Sequence, residues 1–204
     1  MKPTRLLESV ARHEAGHATV AYALGVRLRE LSVVEPVCDQ GRSPPPPFFR
    51  NTSRPPEAWY QVPSKSLENM ALVCLSGPAA QMRFFPAHCR QFYASADLRQ
   101  ATGLLEYLAP EPRELAAYVS LIDVRAQNVM NMPRIWDAVT DLADALLSEL
   151  TVRVAGIRAI VGKSIKAGSL NRQLTSHRFG TAHPLATLNL IRSVWPSPLW
   201  VLAV

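Results

Sequence analysis

Cysteine is scarce in this chain of 204 residues: there are three, Cys38, Cys74 and Cys89, and no two form a CxxC pair. Their odd number and wide spacing argue against a secreted disulfide framework and fit a reducing compartment. Long apolar runs are missing as well. The nearest is Leu185 to Val204, but Arg192, Pro196 and Pro198 break it, and a span needs about 20 apolar residues. Residues 1–12 hold no apolar stretch ahead of their charges, so they do not read as a signal peptide. These absences predict a cytoplasmic protein without a transmembrane segment. No internal repeat is visible. Acidic residues stop at Glu149: residues 151–204 carry seven Lys and Arg and no Asp or Glu, whereas residues 1–150 carry 15 basic and 16 acidic residues. The net charge of +6 therefore belongs to the C-terminal end, which suits an acidic partner, a nucleic acid or an anionic surface. The simpler reading of that charge is a solvated terminus.

What is present is a globular composition, with 48% hydrophobic and 19% charged residues. That excludes a mainly disordered chain, and the length suffices for one domain with a substantial core. Helical periodicity dominates. Residues 4–24 predict a helix, with Thr4 as N-cap, Leu6, Leu7, Val10, Ala18, Ala21 and Leu24 on its apolar stripe, and Gly25 just past its end. Residues 26–35 predict a strand, closed by Pro36. Residues 36–63 hold eight prolines, four of them consecutive (Pro44–Pro47), and predict a long irregular insertion. Further helices are expected at about 65–85, capped by Ser64 or Ser66 and kinked at Gly77-Pro78, and at 95–108 from Ser95. Others are expected at 112–130, 134–150 and about 152–162. Ile135, Val139, Leu142, Leu146 and Leu150 make one stripe on the penultimate helix. The fold class is thus mainly α with a small β element: a domain over 1–162 and a basic, poorly patterned tail over 163–204. Cys74 and Trp136 read as packing residues, and His88, His177 and His183 lack a pairing pattern. Gly162-Lys163-Ser164 is not a phosphate loop, because Ile157 stands where the motif needs glycine.

Residues 13–17 read His-Glu-Ala-Gly-His, an HExxH within the first helix. Spacing i, i+4 stacks His13 and His17 on one face, so two imidazoles can reach one metal ion. Glu14 lies beside that face, where a carboxylate that is not a ligand can take a proton from water. With five histidines in the chain, a chance match is expected roughly 0.006 times. Gly16 costs about 1 kcal/mol in a helix interior relative to alanine, which predicts close approach of another segment. A catalytic zinc site needs a third protein ligand. The thermolysin pattern offers Glu68 and Glu106 by residue type, whereas the metzincin pattern HExxHxxGxxH is absent. Spacing alone leaves the third ligand open.

The string RHEAGHATVAYALG resembles the protease domain of the FtsH family of zinc metalloproteases, in which HEAGHA opens the domain and a strand follows. LSGPAAQ, residues 75–81, is similar to that family's LAGRAAE helix. ASADLRQATGLL, residues 94–105, is similar to its SNDLxQAT segment, whose aspartate is the third zinc ligand and corresponds to Asp97. The resemblance covers roughly residues 8–35 and 66–161. It implies a helical FtsH-type zinc peptidase domain in which His13, His17 and Asp97 bind Zn²⁺ and Glu14 is the general base. Asp97 also suits the first turn of its helix, where free N–H groups favour a carboxylate whether or not it binds metal. The chain departs from the family at Gln81, where the family has Glu, and in its proline-rich insertion. The family's ATPase module and membrane anchor are not among these residues.

Two functions follow as expectations. One is a zinc-dependent metalloendopeptidase acting on polypeptides, with residues 31–35 pairing to substrate backbone, and with a separate ATPase, an acidic partner or further copies of itself as partners. The other is an inactive protease-fold interaction protein that binds a partner through its basic tail.

Overall fold

The computed structural model describes residues 5–28, 30–33, 62–85 and 96–171. Expectations for Thr4, Cys38, Cys89, His88, Ser95, His177, His183, the insertion up to residue 61 and the tail from residue 172 fall outside them. Among the described residues the chain is mainly helical with one two-stranded sheet. Its elements are α1 (Arg5–Leu24), β1 (Leu31–Ser32), α2 (Ser64–Phe84), α3 (Ala96–Leu105), α4 (Pro112–Met130), α5 (Pro133–Glu149), β2 (Thr151–Val152) and α6 (Val154–Ser164). All belong to a compact unit that runs from Met1 to Leu170. None of these helices is long and apolar enough to cross a membrane.

Helix α1 is the centre of the unit. It packs against α2 on one side and α5 on another. Its stretch from Ala15 to Ala21 is buried on every face, not only along one stripe. Small residues explain this, since Ala15, Gly16, Ala18 and Ala21 let neighbouring backbones come close. A Cβ on Gly16 would lie 2.7 Å from both the Ala80 Cβ and the Ser76 carbonyl, so α1 and α2 cross at Gly16 with no room for a side chain. That is the close approach the sequence requires. Gly25 ends α1 at φ 73°, and the amides of Gly25 and Val26 close on the carbonyls of Tyr22 (3.0 Å) and Ala21 (2.8 Å). This is a Schellman ending, which satisfies carbonyls that a helix terminus otherwise leaves free.

Helix α2 packs on α1, α3 and α4, and it runs unbroken through Gly77-Pro78. Of the expected kink or interruption at this pair, the interruption is absent. Proline removes one ladder bond, and burial between three helices holds the backbone in place despite that loss. Its N-cap is Pro63, which has no side-chain cap, instead of Ser64 or Ser66. Helices α4 and α5 begin with prolines at their first turns as expected, and the Glu111 carboxylate caps α4 by accepting from the Glu114 amide at 2.8 Å. Helix α3 stops at Leu105, three residues early, where the amides of Leu108 and Ala109 both turn back to the Leu105 carbonyl.

The expected strand over 26–35 shrinks to Leu31–Ser32, paired antiparallel with Val152 and Thr151. Among the described residues its partner is β2, two residues long within the link between α5 and α6, and the ladder is correspondingly short; Val34 and Glu35 lie outside the described residues. Ile135, Val139, Leu142 and Leu146 are buried on α5, but Leu150 leaves the stripe and is 44% exposed. It takes a left-handed conformation (φ 59°) that turns the chain into β2.

Candidate metal centre

Three elements converge on one point between α1, α2 and α3. Helix α1 supplies His13 and His17 one turn apart, and α3 supplies Asp97 from its first turn. The two Nε2 atoms lie 3.0 Å from each other. Asp97 Oδ2 is 3.1 Å from His13 Nε2, and Asp97 Oδ1 is 3.6 Å from His17 Nε2. Zinc bonds of about 2.0–2.1 Å at tetrahedral angles require donor separations of about 3.3 Å. Each imidazole faces a different oxygen of Asp97 at a separation near that value, so the two imidazoles and the carboxylate could hold one metal ion. Among the described residues these three form the group of His, Cys, Asp or Glu side chains able to share a metal ion. The fit concerns geometry and donor chemistry.

Outer hydrogen bonds fix how each imidazole is presented. His17 is 2% exposed, and its Nδ1 lies 2.7 Å from the Val73 carbonyl, an atom that can only accept. A proton therefore sits on Nδ1, and Nε2 is the ring nitrogen that faces the cluster. His13 Nδ1 lies 3.2 Å from Gln81 Oε1. His17 can occupy this position because Gly77 has no side chain. A Cβ there would meet Nε2 at 2.3 Å, Cε1 at 2.5 Å and Cδ2 at 2.7 Å.

Electrostatics bind the three together in the metal-free protein. Burial alone lowers the His17 pKa, but the hydrogen bond and charge of Asp97, helped by Glu14 and the Val73 carbonyl, reverse this and raise it. Burial likewise favours a protonated Asp97, yet hydrogen bonds from His13 and His17 hold that carboxyl well below the usual carboxylate range. A cation would replace the imidazole proton as the positive partner of Asp97.

Glu14 stands beside this group but outside it. Its Oε2 is buried and has no hydrogen-bond partner within the protein. A buried, unpartnered carboxylate oxygen is costly.

The other acidic residues considered for the third ligand lie elsewhere. Glu68 on α2 accepts from Tyr118 and pairs with Lys65 at 3.3 Å and with Arg125 at 3.8 Å, a structural network joining α2 to α4. Glu106 is exposed in the turn after α3. Cys74 is buried as a packing residue, and Trp136 packs under the Arg83 guanidinium, 4.2 Å from its ring centroid. Arg12, next to His13, lies over Phe84 at 4.6 Å and pairs with Asp144 at 3.4 Å, tying α1 to α2 and α5 near the site.

The sequence does not show that Gln81, Gly77 and the Val73 carbonyl meet the two histidines. Gly77 carried a signal, since a glycine inside an apolar helix asks for a neighbour at close range, but Pro78 beside it suggested a bend instead. The Val73 carbonyl carries no sequence signal at all. No protein-family model matches the chain, and no curated protein matches it either.

Proposed function

We propose that this chain is a zinc-dependent metalloendopeptidase whose described unit is an FtsH-like peptidase domain. The observation that carries the reading is the juxtaposition of His13, His17 and Asp97 at metal-bridging distances with the unpartnered Glu14 oxygen beside them. The resemblance over HEAGHA, LSGPAAQ and SADLRQAT supports it.

Zn²⁺ held by His13 Nε2, His17 Nε2 and Asp97 would supply Lewis acidity to a scissile carbonyl and draw the pKa of water toward about 7. The chain's own residues do the rest. Val73 and Gln81 orient the two imidazoles. Glu14 takes a proton from the attacking water as its oxygen bonds to the carbonyl carbon, then delivers that proton to the amine nitrogen as the C–N bond breaks. Asp97 supplies the negative charge that offsets the cation. Polypeptides are the substrate class, and a separate ATPase, an acidic partner or further copies of the chain are the proposed partners.

The test is cleavage of a peptide library by the full chain. Reproducible cuts that a chelator abolishes and added zinc restores are the expected result. Stoichiometric zinc with no cuts would overturn the peptidase reading in favour of a protease-fold interaction protein.

A further inference from the structure

His13 can offer a lone pair from Nε2 only if its proton sits on Nδ1. For His17 a backbone carbonyl enforces that arrangement. The partner of His13 is a carboxamide, which has both a donor and an acceptor and can serve either tautomer. The amide is oriented in the structure to suit a proton on Nδ1. Gln81 Nε2 donates to Ser9 Oγ at 2.9 Å, which leaves Oε1 facing His13 at 3.2 Å. Ser9 and Gln81 are 3% and 5% exposed, so water cannot readily replace the bond between them. Ser9 and His13 are four residues apart on α1 while Gln81 projects from α2, and the three close a buried bridge between the helices.

We propose that Gln81, anchored by Ser9, is a positioning residue that sets the His13 tautomer for a divalent cation. Being neutral, it also makes the site hold that cation less tightly than a carboxylate in the same place would. The inference rests on the metal-site reading above. A carboxylate could only accept, and it would add a negative charge beside a ligand whose basicity it raises; the carboxamide fixes the geometry without that charge.

The test uses full-length protein and zinc alone, with affinity read by competition against a chromophoric chelator. The second readout is the NMR resonance of the hydrogen-bonded His13 Nδ1–H in the zinc-loaded protein. Gln81→Met should weaken zinc binding about 10–100-fold and abolish the Nδ1–H signal. Gln81→Glu should bind zinc more tightly than the wild type, by about tenfold, and move that signal downfield. Ser9→Ala frees the amide to turn and should lower affinity by a smaller factor. Should Gln81→Met fail to fold, Gln81→Glu and Ser9→Ala decide the matter, since both keep the packing. Wild-type affinity and an unchanged Nδ1–H signal in the folded variants would overturn the role of Gln81 while leaving the metal site intact. A wild-type chain that binds no zinc would overturn the metal site and this inference with it.

Discussion

Replacing Gly77 with alanine is expected to abolish tight zinc binding, with a loss of at least about 100-fold, and to lower the thermal unfolding temperature. Helix propensity predicts the opposite sign, because alanine is about 1 kcal/mol better than glycine in a helix interior. Packing decides the outcome. The new methyl would lie 2.3 Å from His17 Nε2, the atom that must face the metal. The ring has no room to retreat, because it is fully buried and its Nδ1 is held 2.7 Å from the Val73 carbonyl. Either that hydrogen bond breaks or α1 and α2 move apart, and overpacking of this kind costs typically about 1–3 kcal/mol. Gly103→Ala is the control, since a Cβ there meets nothing within 4 Å and should stabilise α3 slightly. Chelator competition and thermal melts on both variants measure the effect. A Gly77→Ala protein with wild-type zinc affinity would contradict the packing of His17 described above.

Exchanging Glu14 for glutamine should leave zinc affinity within a few-fold of wild type while peptide cleavage falls by about 10²–10⁴-fold or more. The substitution preserves size, and Glu14 is not one of the three residues whose donor atoms share the cluster. What disappears is the ability of its buried oxygen to take and return a proton. Asp97→Asn makes the opposite separation. That change also keeps the shape but removes the charge facing both imidazoles at 3.1 and 3.6 Å, so zinc should be lost first and cleavage with it. Steady-state cleavage measured beside metal content separates the two roles. A Glu14→Gln protein that still cuts would remove Glu14 from the mechanism.

The helices were legible wherever their signals are local. Pro112 and Pro133 mark first turns, Gly25 marks an end, and the α5 stripe from Ile135 to Leu146 shows the correct period. The strand expected over 26–35 is longer than the one observed because alternation reports a segment's own preference, while a strand's length depends on a partner that here has only two residues. Leu150 continued the stripe by type and left it by backbone conformation. Within the site, the HExxH spacing placed His13 and His17 on one face, as a helix must. The choice between Glu68, Glu106 and Asp97 was not available from spacing, because it depends on how α2 and α3 pack on α1. The roles of Gln81 and Gly77 belong to the same crossing of α1 and α2, which no single segment encodes.

An anomalous-scattering map at the zinc edge tests most directly whether His13, His17 and Asp97 hold a zinc ion. Crystals of the full chain, grown with zinc and without chelator, should give one peak about 2.0–2.2 Å from His13 Nε2, His17 Nε2 and an Asp97 oxygen. No peak between α1 and α3 in zinc-saturated crystals, or a peak that Asp97 does not reach, would contradict that site.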